Sequence, residues 1–286
     1  MKGPGSGHRR VLLRGTLLAV LAVSAAGAWP AVARAQSAAA IVGRMFDEYR
    51  KRTESVENYT LVQQVMGLET LSYFEKELVD GRPVFRLRRS SANGMEVDNP
   101  TEGGVDEIYM MGAELARRAS YLGSERINDY DVHVLDIADL SGTGFGRNVT
   151  RDSEFTPTRG RLYLDIDTYA PRRMTFEGVM RNAQGASTLT STIDMADYRE
   201  VDGLLLPHLT VINIEGLGAA IDPATRAQFE DMQRELEMMP PEQRAMVESM
   251  MAEQLEQFRA MMADEGAPMI VEVMVREVFV NIGPPR

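Results

Sequence analysis

His133 and His208 are the residues outside the first thirty-five with the plainest claim to acid–base or metal chemistry. Two imidazoles plus one carboxylate can hold a zinc ion. The two lie far apart in sequence, however, and a pair of surface or strand-end histidines is the simpler reading. Gly142-Thr143-Gly144-Phe145-Gly146 could cradle a phosphate only if a helix began directly after it. The following Arg147–Arg159 is polar, contains Pro157 and has no helical period, so Ser141–Gly160 reads as a loop between strands. No Gly-x-Ser-x-Gly elbow, His-Glu-x-x-His pair or P-loop occurs,. The chain has no cysteine, which excludes disulfides, thiolate nucleophiles and cysteine metal sites. Arg86, Arg88 and Arg89 form a basic cluster that could meet an acidic partner or simply pair with nearby surface acids. These observations assign no catalytic residue, no metal and no cofactor, and point away from an enzyme.

Methionine is the more informative residue type. Met232, Met238, Met239, Met246, Met250, Met251, Met261, Met262 and Met269 are gathered near the C-terminus. Their flexible, polarisable side chains suit surfaces that accept varied apolar partners. They could form an adaptable lip over an apolar cavity, or fill the core between two helices and a sheet.

The elements that would position such residues follow from periodicity. Residues 1–35 read as a secretory signal peptide. Lys2, Arg9, Arg10 and Arg14 precede the apolar Thr16–Ala26, and Ala33-Arg34-Ala35 offers a small-x-small cleavage site,. The alternative is an uncleaved anchor, but the apolar run falls short of the ~20 residues a span needs. Cleavage would remove five positive charges and no acids, taking the net charge from −11 to −16. So acidic a surface repels nucleic acid and anionic headgroups.

Ser37–Glu57 has the apolar spacing of an amphipathic helix, with Ile41, Met45, Phe46 and Tyr49 on one stripe,. Tyr59–Met66, Thr70–Val79 and Pro83–Arg89 alternate as strands. Val105–Leu122 reads as a second helix, capped by Gly123. Tyr130–Ala138 and Arg161–Ile166 are the next strands. Arg172–Met180, Ser187–Glu200 and Leu204–Ile214 continue the series, with Asp202-Gly203 as a hairpin turn. Asp222-Pro223 then starts a helical hairpin, broken at Pro240-Pro241 and closed by Gly266. Met269–Ile282, rich in valine, is the last strand,.

One stretch carries a resemblance. "RLYLDIDTYAPRRM" followed by "DYREVDGLLLPH" resembles the bacterial outer-membrane lipoprotein-sorting family, LolA/LolB-like with RseB-related domains. The matching positions are Asp165, Pro171, Arg173, Tyr198, Gly203, Leu206 and Pro207. Asn281 resembles the asparagine of the family's closing strand. These are turn and strand-end residues, so they bear on fold more than on activity.

The resemblance implies an α+β chain: a curved antiparallel β half-barrel, an unclosed barrel, with helices on its concave face. Residues 36–286 would form one such domain, with the helical hairpin 222–266 inserted. Helix one, the Val105–Leu122 helix and the hairpin would roof the inner face. It further implies a soluble, monomeric periplasmic carrier that holds a lipid or lipoprotein acyl chain without chemistry. Face alternation offers Met111, Leu115, Leu164, Met174, Phe176 and Leu206 as the cavity lining. The alternative reading is a sensor module that binds a membrane-anchored signalling protein of the envelope.

Overall fold

The computed structural model describes residues 37–79, 81–96, 107–140, 154–182, 185–221, 223–250, 255–256, 259–260, 264 and 267–284. The signal segment, the glycine-rich run 142–146, Asp222 and Gly266 lie outside the described residues.

The first element is α1 (Ala38–Arg52). Ser37 caps it, its hydroxyl accepting from the Ala40 amide at 3.2 Å, and Arg50, Lys51 and Arg52 fill its last turn, where cations favour the helix dipole. The strands β1 (Asn58–Val65), β2 (Leu68–Val79), β3 (Arg82–Ala92) and the short β4 (Met95–Glu96) follow. Then come α2 (Glu107–Met110), α3 (Gly112–Arg118), β5 (Ala119–Ile127), β6 (Tyr130–Ile137) and β7 (Glu154–Asp165). The chain continues with β8 (Pro171–Asn182), β9 (Gly185–Val201), β10 (Leu204–Glu215), α4 (Leu217–Ala220), α5 (Pro223–Met238), α6 (Pro241–Met250) and β11 (Met269–Val280).

All eleven strands make one antiparallel sheet in the order β4-β3-β2-β1-β11-β10-β9-β8-β7-β6-β5. β4 and β5 do not pair, so the sheet is an open half-barrel. β-Bulges interrupt the register at Val62/Gln63, Tyr73/Phe74, Tyr121/Gly123, Pro157/Arg159 and Tyr163/Leu164. Bulges bend a strand and sharpen its twist, which gives the sheet an inner face.

Two expectations need correction. The second helix ends at Arg118: Ala119 has φ −78° and ψ 141°, and Ala119–Ile127 is strand β5. The stripe Leu115, Ala119, Leu122 suits a helix locally. Eight residues paired along β6 outweigh that weak local preference,. Leu122 consequently points outward, 56% exposed, and Gly123 is no helix cap but sits at the bulge with φ +123°. The second correction concerns Ser141–Gly160. Glu154–Gly160 belongs to β7, and Pro157, which donates no ladder hydrogen bond, stands at a bulge,.

The inner face carries two neighbouring clusters. The larger joins α1 (Ala38, Ile41, Val42, Met45), α2 (Ile108, Tyr109) and α3 (Leu115) to β6–β9 (Leu135, Ile137, Leu162, Leu164, Met174, Met195). The second gathers Val56, Tyr59, Leu61, Phe85, Leu204, Leu206 and Val275. Tyr49 of α1 packs on both. On the opposite face Val132, Val134 and Tyr163 form a small cluster of their own.

A polar knot at the β7–β8 turn fixes α1 to this sheet. Asp165 Oδ1 accepts from the amides of Asp167 (3.0 Å) and Thr168 (2.8 Å) and from the Thr168 hydroxyl (3.0 Å). Its Oδ2 accepts from Arg172 Nε (3.0 Å) and Nη2 (2.8 Å). Both side chains are 9% exposed. The Arg172 guanidinium lies 3.8 Å from the ring centre of Tyr130 and 4.7 Å from that of Tyr198. The Tyr198 hydroxyl donates to the Pro171 carbonyl. Arg52, at the end of α1, donates to the Thr168 carbonyl at 2.9 Å. Gly203, in the β9–β10 turn, has φ +92°, and a Cβ there would stand 2.6 Å from the Arg52 carbonyl oxygen. Only glycine fits both demands.

Burial opposes ionisation of Asp165, but the hydrogen bonds from Thr168 and Arg172 outweigh it and hold its carboxyl below the ordinary range. That stability is complete above the unfolded carboxyl's value of about 3.9 and is lost as pH falls through the lower folded value. Asp165→Asn, which strands a buried guanidinium, should cost about 3–5 kcal/mol in urea unfolding at pH 7. It should also flatten the acid limb of stability against pH. An unchanged midpoint would show the pair to be dispensable.

Candidate functional site

The concave face is built by alternation. Leu162 and Leu164 of β7 point inward with Leu135 and Ile137 of β6, while Tyr163 points to the other side with Val132 and Val134. Of the six residues expected to line a cavity, four meet in the larger cluster: Met111 (8% exposed), Leu115 (0%), Leu164 (0%) and Met174 (6%). Phe176 is partly buried, between this cluster and a third one of Phe155, Met180 and Leu189. Leu206 lies in the second cluster. It also borders a hollow of about 20 Å³ beside Tyr49, Tyr109, Pro171 and Tyr198. That hollow has room for about one water molecule.

The roof over these residues is short. Among the described residues it consists of α1, the four residues of α2 and the seven of α3. Tyr49 of α1 and Tyr109 of α2 stack with ring centres 3.7 Å apart, and Phe46 meets Tyr109 edge-on at 6.2 Å. The inserted hairpin, expected to share in this roof, instead closes on itself. Phe229 and Leu236 of α5 and Leu255 form a cluster with Met232, Met239 and Val247. Among the described residues, neither inner-face cluster contains one from α5 or α6. Met238 is 78% exposed.

A larger cleft, about 280 Å³, runs along the flank of α1. Ala39, Val42, Gly43, Phe46, Asp47, Tyr49 and Arg50 of α1 line it, with Arg82 and Pro83 of β3 and Ala116 of α3. None of the six expected lining residues borders it. The spacing of Ala39, Gly43 and Phe46 on one flank of the helix was a usable signal. Arg82 and Pro83 join them only through the fold.

Neither histidine is on the surface. His133 is 4% exposed and His208 6%. They stand on different strands, β6 and β10, with His133 Nδ1 3.2 Å from the Tyr121 hydroxyl. Its ring faces Tyr121 and Tyr169, each with a centre-to-centre distance of 5.7 Å. Arg44 donates to the Tyr169 hydroxyl at 3.1 Å. Among the described residues, no group of three or more His, Cys, Asp or Glu side chains stands close enough to hold a metal. Two arginines of the basic cluster pair locally: Arg86 with Glu77 at 2.6 Å, and Arg88 with Glu75 at 3.2 Å and also with Glu77.

No family model matches the chain, and no curated protein does. Solved structures of similar arrangement exist. One is an outer membrane lipoprotein-sorting protein domain from Vibrio parahaemolyticus, at 12% identity and TM-score 0.39, covering 85% of this chain and 93% of its own. Another is a DUF1329 family protein from Desulfovibrio piger, at 9% identity and TM-score 0.39, with 85% and 95% covered. The MucA/MucB complex of Pseudomonas aeruginosa aligns at 11% identity and TM-score 0.20, with 86% and 94% covered. The first bears the family description that the turn and strand-end residues of this chain resemble. At these TM-scores the likenesses carry no weight for function. No helix among the described residues is long and apolar enough to cross a membrane.

Burial lowers the basicity of both histidines, with Arg44 adding to the effect at His133 and Arg199 at His208. Each therefore protonates more readily in the unfolded chain, and stability falls as pH drops below about 6.5. The double variant His133→Gln, His208→Gln should lose the pH dependence of its urea midpoint between about pH 6.5 and 5. A slope equal to that of the parent protein would contradict this.

Proposed function

We propose that this chain is a non-enzymatic binding protein of the bacterial envelope, a carrier that holds an acyl chain or lipoprotein-like apolar ligand between sheet and roof. The observation that carries the reading is the inner face itself. Among the described residues, a continuous apolar surface from Leu135 to Met195 is covered by α1, α2 and α3, while the sheet stays open between β4 and β5. Closed, this face is filled by the roof residues Ile41, Val42, Met45 and Leu115. The ligand enters as the roof lifts, exchanging one set of apolar contacts for another, so the net cost of opening is small. Met111, Leu115, Leu164 and Met174 would then line the chain's path, with Phe176 and Leu206 at its ends. The export signal read in residues 1–35 supports a periplasmic location.

Protein purified from its host without delipidation should yield an acyl ligand by mass spectrometry, and the stripped protein should take up a fluorescent fatty acid. Recovery of no lipid together with no uptake would overturn the proposal.

A second reading, a sensor that binds a membrane-anchored signalling protein, draws on the helical hairpin. Its separate core and its exposed Met238 suit a docking arm. Ile214 and Met269 are register partners on β10 and β11, so a short turn can replace the intervening residues 217–267. That variant should keep the sheet and the fatty-acid uptake. Loss of uptake would place the hairpin in the carrier site; loss of a co-purifying membrane protein alone would favour the sensor.

A further inference from the structure

The cleft beside α1 is a second concavity that opens next to the inner face and shares Val42 with its cluster, and its walls have a definite chemistry. Ala39, Val42, Gly43, Phe46, Pro83 and Ala116 make it apolar. Three charged side chains border it: Asp47, Arg50 and Arg82. Arg50 and Asp47 bind each other at 2.7 Å. Arg82 instead lays its guanidinium over the Phe46 ring, 5.2 Å from the centre, and among the described residues no carboxylate pairs with it.

Gly43 supplies an independent argument. It lies inside α1, where glycine costs a helix about 1 kcal/mol relative to alanine. Nothing in the packing demands it. A Cβ at Gly43 would meet no atom within 4 Å, unlike one at Gly203. The glycine thus opens space on the cleft floor rather than admitting a neighbour. A volume of about 280 Å³ holds about nine water-sized groups at roughly 30 Å³ each. That excludes a two-chain lipid and fits a ligand of about that many non-hydrogen atoms.

We propose that this cleft binds a small amphiphile with one carboxylate and a short apolar body, the carboxylate on Arg82 and the body over Gly43 and Phe46. Arginine suits the task because its planar fork matches a carboxylate in two hydrogen bonds. The ring beneath it keeps the guanidinium in place while leaving its N–H edge free to donate. The site does not depend on the carrier reading: the inner face can hold a long chain whether or not this cleft is filled.

Calorimetric titration of the full chain with octanoate, against octanol and octylamine, tests the proposal. Octanoate should bind, and the two others at least tenfold more weakly. Arg82→Gln should weaken octanoate by about tenfold, the loss of about 1.4 kcal/mol. Gly43→Leu, which fills the floor, should remove binding, with far-UV circular dichroism confirming the fold. Uptake of a long-chain fluorescent acid should stay unchanged in both variants, which separates this site from the inner face. Octanol binding as tightly as octanoate, or octanoate affinity unaltered in Arg82→Gln, overturns the proposal. The arginine variant alone decides the matter if the leucine variant does not fold.

Discussion

The buried ion pair of Asp165 and Arg172 fixes the point from which the rest of the structure is hung. A charge pair taken out of water is costly and persists only when its remaining hydrogen-bonding capacity is met. Here Asp165 uses both oxygens, accepting from two amides, a hydroxyl and the arginine fork. The tyrosine rings of Tyr130 and Tyr198 close over the guanidinium. Because these partners come from the end of β7, the start of β8, the start of β6 and from β9, the pair sets the mutual position of four strands. Through the Thr168 carbonyl it also holds Arg52 and hence the C-terminal end of α1.

That attachment makes the roof asymmetric. At its C-terminal end α1 is pinned by Arg52 and by the close approach of Gly203, while Thr53, whose hydroxyl donates to the Tyr49 carbonyl, closes the helix's last turn. Along the rest of its length apolar packing dominates, Arg44 with Tyr169 being the polar exception. Apolar contact is non-directional and can be exchanged for contact with a ligand, whereas the polar end cannot be exchanged without stranding a charge. A pinned helix over an apolar sheet is therefore a suitable cover for a carrier.

Much of the sheet was legible from the chain alone. Alternation marked the Arg161–Ile166 part of β7 and, less regularly, β8, and Asp202-Gly203 takes the two positive φ values, +48° and +92°, that its hairpin turn requires. The motif residues Asp165, Pro171, Tyr198 and Gly203 proved to be the knot and its neighbours. The buried arginine is Arg172, while the matched Arg173 pairs with Asp194 at 2.6 Å. β5 escaped because Leu115, Ala119 and Leu122 satisfy a helical period, and only its pairing with β6 decides otherwise. The position of the hairpin was also hidden, since an apolar stripe does not say which surface it will meet. The α1 cleft was legible only on its helical side: Gly43 and Arg82 belong to separate elements that the fold brings together.

The central claim is that an apolar ligand enters beneath α1 and α3. Methionine methyl resonances offer the most direct test, with a spin-labelled stearate as the ligand. Met111, Met174 and Met195 lie in the inner cluster, whereas Met95 and Met238 are 71% and 78% exposed elsewhere. Relaxation broadening of the first three and of Met45 on α1, with Met95 and Met238 left sharp, is the predicted result. Broadening of Met95 or Met238 while the inner methyls stay sharp would contradict it.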